Sequence, residues 1–179
     1  MSATEQAFTS AYREHLGWML RTVRRLGVMP TDQEDVAHDV FSTAWSRLDT
    51  WSPDRPMRPW LFGIAFRVVS NRKASRSGKE ELVAGFDDRH GGGVPRPDEV
   101  LEGEVARRQV LQALETLPFD QRAMFIGHDV DRTPITELAR ELDVPLNTAY
   151  SRLRLGRQRF QTAWDALSRG QTLPQEVST

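Results

Sequence analysis

Apolar positions recur every three or four residues along most of this chain, so a series of helices is the first expectation. Phe8, Tyr12, Leu16 (or His15), Met19, Val23 and Leu26 predict a long amphipathic helix over 4–26, which Met29-Pro30 ends. Thr31-Asp32-Gln33-Glu34 has the form of a capping box. The helix it opens runs to Leu48, with Val36, Val40, Phe41, Ala44, Trp45 and Leu48 as a wide apolar stripe. A proline-rich turn, Trp51 to Pro59, leads into a third helix from Trp60 to Ala74. Trp60, Leu61, Ile64, Ala65, Val68 and Val69 face inward there, and Arg67, Asn71, Arg72 and Arg76 do not. Three helices with short connections predict a compact all-α domain over 1–77.

Apolar residues then thin out. The stretch 78–99 contains Gly91-Gly92-Gly93, Pro95 and Pro97 and reads as a flexible linker. A second helical domain over 100–167 opens near Asp98, a plausible cap, with Leu101, Val105, Leu111 (or Val110), Leu114 and Leu117 on one face. Pro118 restarts the chain, and Phe119 to His128 reads as a short apolar helix. Thr133 is placed to cap the next helix, with Pro134 at its first position and Ile135, Leu138, Ala139 and Leu142 inward. Asp143-Val144-Pro145 breaks that period. In the last helix Ala149, Leu153, Gly156 and Phe160 share one face, while Asn147, Ser151, Arg154 and Gln158 point elsewhere; either Asn147 caps it or Pro145 opens its first turn. Residues 168–179 read as a disordered tail. Two short helices, a tight turn, small Ala139 at the crossing and a basic second helix make a helix-turn-helix.

Charge sharpens this picture. The net charge is −1, which alone argues against a nucleic-acid partner, but the charges are segregated. Five basic residues and no acid lie between Arg67 and Lys79, and eight acids face two arginines between Glu80 and Glu104. Arg152, Arg154, Arg157 and Arg159 then make the last helix basic. Two basic surfaces with an acidic segment between them fit two contacts with nucleic acid. The aromatics Phe41, Trp45, Trp51, Trp60, Phe62 and Phe66 interleave with basic residues up to Arg76, a combination that suits melted DNA. Most of them also fall on core positions; Phe41 and Trp45 are expected in the core, and Trp51, in a turn, is expected to be exposed.

Enzyme chemistry is not assembled anywhere. The chain has no cysteine, and its four histidines have no metal-ligand spacing. No phosphate-binding Gly-Lys loop is present, and His90-Gly91-Gly92-Gly93 has no Gly-x-Ser-x-Gly elbow to accompany it. No cofactor or metal is expected. No export signal and no membrane-length apolar run is visible, so a cytoplasmic address is expected.

Four strings in order resemble bacterial RNA polymerase sigma factors of the extracytoplasmic-function (ECF) group: DQEDVAHDVFSTAWSRLDTW, RPWLFGIAFRVVSNRKASR, LETLPFDQRAMFIGHDV and ITELARELDVPLNTAYSRLRLGR. The resemblance implies a sigma-2-like domain over 1–77, a sigma-4-like domain over 100–167, and a subunit that directs the core enzyme to promoters. It implies docking of the helix from Asp32 to Leu48 on the clamp helices of the β′ subunit, with Asp35, Asp39, Phe41 and Trp45 near the contact. For that acidic cluster the helix dipole alone is an equal explanation. It implies that Trp60, Arg67, Asn71, Arg72 and Arg76 serve −10 recognition and melting. Asn147, Thr148, Ser151, Arg152, Arg154 and Arg157 would read the −35 element, and the Phe119–His128 helix would engage the β flap. A monomer when free and an anti-sigma partner are further implications. Departures stand out in the recognition helix, where Tyr150 and Leu155 occupy positions that are commonly basic in the family. Neither can make the bidentate guanine contact of arginine, so the promoter sequence does not carry over from relatives.

Overall fold

The structure, a computed structural model, describes residues 3–77 and 97–171. The expected linker lies almost wholly outside these residues, as does most of the expected tail. Among the described residues seven α-helices follow in order: α1 Ala3–Arg25, α2 Gln33–Ser46, α3 Met57–Ser77, α4 Pro97–Glu115, α5 Phe119–Phe125, α6 Ile135–Glu141 and α7 Leu146–Ser168. Short 3-10 turns precede and follow α2, and α5 runs on into a π-helical turn, Ile126–Val130. No strand occurs among the described residues, so the all-α expectation holds.

Most of the apolar stripes read from the sequence are the faces that meet, although Val105, expected on the inward face of α4, is 50% exposed. α1, α2 and α3 pack mutually around Met19, Val23, Leu26, Val36, Val40, Phe41, Leu61 and Ala65, all buried. α4 and α5 pack on α7, and α6 crosses α7. Leu114, Ala123, Met124, Leu138, Ala149 and Leu153 fill that second half. Gly156 marks a tight crossing, since a Cβ there would lie 2.9 Å from the Gln121 carbonyl oxygen on α5.

Helix ends explain the turns. α1 stops at Gly27, whose φ of 90° places it in the left-handed region that glycine tolerates. Its N–H donates to the Arg24 carbonyl at 2.9 Å and that of Val28 to Val23 at 3.1 Å, a Schellman closure. The turn between α6 and α7 is built the same way. Asp143 takes the left-handed position at φ 55°, and the Val144 N–H reaches back to the Ala139 carbonyl at 3.0 Å.

Three expected caps do not form. Asp98 lies within α4 rather than ahead of it. Thr31 lies within a 3-10 turn and its hydroxyl donates to Asp32, while α2 begins only at Gln33. Thr133 is buried one residue too early, because Pro134 itself occupies the cap of α6. The Thr133 carbonyl instead accepts from His128 Nδ1 at 2.8 Å, which ties the π-helical turn to the start of α6. For the last helix the structure chooses: Pro145 is the cap, Leu146 opens the helix, and Asn147 lies within its first turn.

Candidate nucleic-acid and polymerase-docking faces

The packing of α7 determines which of its side chains reach water. With Ala149, Leu153, Gly156 and Ala163 buried, Asn147, Tyr150, Ser151, Arg154, Arg157 and Gln158 are left exposed, and Thr148 is half-buried. The two remaining arginines of the expected −35 set behave differently from Arg154. Arg152 pairs with Asp120 of α5 at 2.6 Å. Arg157 makes a two-pronged contact with Asp129, Nε to Oδ2 at 2.8 Å and Nη2 to Oδ1 at 2.6 Å. The Arg157 guanidinium holds the Asp129 carboxyl below the usual aspartate range, against the opposing effect of burial. Neither Asp120 nor Asp129 stands out in the sequence, because nothing there pairs them with the last helix.

On α3 the expected −10 residues are dispersed. Trp60 is buried, with its indole N–H directed at the Thr50 hydroxyl at 3.2 Å. Trp51 is half-buried beside it, ring centroids 6.3 Å apart, which corrects the expectation of an exposed turn residue. Asn71 is exposed. Arg72 is paired with Asp39 of α2, so a residue expected at DNA and one expected at polymerase hold each other. Arg76 belongs to α3, but its side chain lies outside the described set.

Arg67 points at the second half of the molecule. Its guanidinium donates to the Glu141 carbonyl at 2.9 Å and to the Gly63 carbonyl at 3.1 Å. Glu141 is the last residue of α6, whose free carbonyls carry the negative end of the helix dipole, a fitting seat for a cation. Gly63 permits the approach, since a Cβ on it would lie 2.7 Å from the same Glu141 oxygen. Around this point Phe66 stacks on Phe119 at 5.1 Å, and the Lys73 amine sits 4.8 Å over the same Phe119 ring. A side chain on Gly127 would collide with Leu138 and press on Phe62.

The seam also takes up ionisable groups. Arg122, on α5, is buried, donates to the Glu115 and Leu117 carbonyls, and fills the space beside Gly27. Asp131 is half-buried, with one carboxylate oxygen shut off from water, and this desolvation pushes its carboxyl above the ordinary range against the pull of Trp18, Arg25, Arg58 and Arg21. Desolvation of its amine likewise lowers the pKa of Lys73, although the residue as a whole is exposed, and Arg122 adds to the effect. A seam lined by charged groups, of which Arg122 is buried, resembles the contacts of separable domains more than a permanent core. Of the expected −10 residues it takes up Arg67, while Asn71 stays exposed.

The expected polymerase-docking set divides cleanly. Asp35 is exposed on α2, and Trp45 is 41% exposed, with one side of its ring 4.8 Å from Phe8. The expectation that Trp45 is a core residue is thereby corrected. Phe41 does lie in the core, 3% exposed and packed edge-on to Tyr12 at 4.7 Å. Among the described residues no cluster of histidine, aspartate and glutamate is placed to hold a metal ion, and no helix is long and apolar enough to cross a membrane.

A helix-turn-helix with an exposed polar and basic face, joined to a three-helix unit with an acidic, aromatic helix, defines an all-helical DNA-binding protein. The family described as sigma-70 region 2 matches residues 11–78, and sigma-70 region 4 matches residues 107–160. The chain belongs to the sigma-70 family and is a sigma factor of the ECF group, acting in promoter-specific initiation by RNA polymerase. It is 26% identical over 172 residues to the RNA polymerase sigma factor CnrH of Cupriavidus metallidurans, covering 92% of this chain and 90% of the relative. With the ECF RNA polymerase sigma factor RpoE of Cereibacter sphaeroides it shares 29% identity over 164 residues, 88% of this chain and 86% of the relative. In fold it is similar to the sigma factor RpoE solved in complex with the anti-sigma factor NepR from Bartonella quintana. That match has a TM-score of 0.72 at 18% identity, over 89% of this chain and 98% of the other. CnrH, solved with the cytosolic domain of CnrY, matches with a TM-score of 0.62 at 23% identity, over 90% of each chain. Sigma factors are non-catalytic initiation factors.

Proposed function

We propose that this sigma factor reads the −35 element with the outward face of α7, through Asn147, Ser151 and Arg154, and the −10 element with α3, through Arg67 and Asn71. Asp35 and Trp45 on α2 are the polymerase-docking residues in this reading, and α5 meets the β flap. Thr148 lies at the edge of the DNA contact. Arg152 and Arg157 act there only after leaving their carboxylates, and Arg72 only after leaving Asp39. Phe41 and Trp60 support these faces from within.

The observation that carries the reading is the outward row of α7, where Asn147, Ser151 and Arg154 are exposed while Ala149, Leu153 and Gly156 are used in packing; polar and basic groups of this kind are suited to base edges and phosphates. Because Arg67 is engaged with α6, the chain as described is a closed form, and the two reading faces must part before both can touch one promoter. Polymerase would supply the differential contacts that favour the open form. An anti-sigma protein that favours the closed form is the partner we expect, as the relatives' partners NepR and CnrY suggest, with the chain itself acting in the cytoplasm.

The test is to combine the chain with RNA polymerase core and follow association, then initiation on promoter DNA. Stable association with a defined start site supports the reading. Duplex binding at nanomolar concentration in physiological salt, without polymerase, would contradict it.

A further inference from the structure

In helix-turn-helix proteins the N-terminal turns of the second helix reach the base edges. In α7 those turns carry an unusual set of groups. Leu146 is 41% exposed and Tyr150 51%, and at a spacing of four residues they stand on one ridge. Asn147 and Ser151, both exposed, form the neighbouring ridge. Arg152 is the sole charged residue from Leu146 to Leu153, and Asp120 holds it at 2.6 Å. The first exposed guanidinium along the helix is that of Arg154.

A single exposed apolar residue needs no explanation, but two adjoining ones at the base-reading end of a recognition helix do. Each base edge asks for its own chemistry. Guanine offers two acceptors that suit arginine or lysine, adenine offers a donor and an acceptor that suit asparagine, and thymine offers a methyl group that suits an apolar side chain. Resting on the placement of α7 at the −35 element, we propose that its first two turns select A·T pairs there. Leu146 and Tyr150 pack on thymine methyl groups, Asn147 pairs with an adenine, and Arg154 takes a guanine or a phosphate at the border. Tyr150 is thereby a specificity-determining residue, and its ring rather than its hydroxyl does the reading.

The experiment uses the chain assembled with RNA polymerase core and a promoter library randomised through the −35 element. A·T pairs should be enriched at adjacent positions. Replacing a selected thymine by deoxyuridine removes one methyl and leaves the hydrogen-bonding edge intact, and should weaken binding about 3- to 5-fold, the effect of losing one buried methyl. Tyr150→Phe should keep that sensitivity and Tyr150→Ala should lose it. Guanine selected at these positions, or equal binding with deoxyuridine while the −35 preference persists, overturns the inference and leaves the placement of α7 standing. If Tyr150→Ala lowers association with core instead, the apolar ridge is a protein contact and the inference fails. Initiation with no −35 preference at all would remove α7 from the promoter and take both readings with it.

Discussion

The guanidinium of Arg67 lies 2.9 Å from the backbone carbonyl of Glu141, so a cation expected at DNA closes the C-terminal end of a helix in the other half of the chain. The contact spans 74 positions of sequence and uses an acceptor that every residue type possesses. Its strength comes from two sources: a charged donor and a helix end with unsatisfied carbonyls.

Gly63→Ala should pry this contact open. The added methyl would sit 2.7 Å from the Glu141 oxygen, which is backbone and cannot swing aside. Overpacking of this kind costs about 1–3 kcal/mol, here borne by the seam rather than by either half. Small-angle scattering of the free chain should report a larger radius of gyration, with helix content unchanged. An unchanged radius would mean that the halves stay docked by other means.

Phe41 and Trp45 lie four residues apart on α2 and should fail in different ways. Phe41→Ala removes a buried ring and should cost about 3–5 kcal/mol of stability. Trp45→Ala removes a ring that is 41% exposed and should cost about 1 kcal/mol, mainly its contact with Phe8. Association with core polymerase should nevertheless fall for Trp45→Ala. Urea unfolding and a core-binding assay on the same two proteins separate the roles, and intact binding by the Trp45 variant would remove it from the docking face.

Asp129→Asn should release Arg157 toward phosphate. The wild-type carboxylate holds the guanidinium by two hydrogen bonds. Freed, it should add about one counterion to the salt dependence of duplex binding, steepening the log–log slope by about 0.9. A slope unchanged within error would show that Arg157 does not reach the backbone.

His15 should make the chain sensitive to mild acid. Burial holds its imidazole below the usual histidine value of 6.5; Glu14 opposes this and Arg58 adds to it. On acidification the unfolded chain therefore takes up its proton first, and protonation favours unfolding. The contribution of His15 is at its full value above pH 6.5, declines as pH falls from there to the lowered folded value, and is flat below it. Urea midpoints measured between about pH 7.5 and about pH 5 should drop, and His15→Gln should flatten the drop. An equally steep profile in the variant would place the sensitivity elsewhere.

Much of the fold is readable because apolar spacing in a helix is also the packing instruction. The inward sets of α2, α3 and α7 follow directly from their three- and four-residue recurrences. Caps are less readable. Thr31 and Thr133 have the right chemistry in the wrong register, and whether a cap forms depends on one residue's dihedral angles. The wide stripe of α2 contains both Phe41 and Trp45, and only the position of α1 decides that the first is covered and the second half open. Gly63, between Phe62 and Ile64, is a visible sign of the seam, since an isolated glycine in a helical pattern often has a packing reason. The pairing of Arg157 with Asp129 leaves no such sign, as each residue is ordinary in its own helix.

The seam joined at Gly63 gives heat resistance and transcription opposite interests. Residues from both halves share a single buried cluster, so substitutions that tighten it would raise the melting temperature of the isolated chain. In the reading proposed above, those same substitutions would slow every round of initiation, because polymerase would have to undo the clamp they strengthen. A thermal screen for sturdier versions of this chain would therefore enrich poor initiators, and its best-scoring members would be the ones least able to leave the closed state.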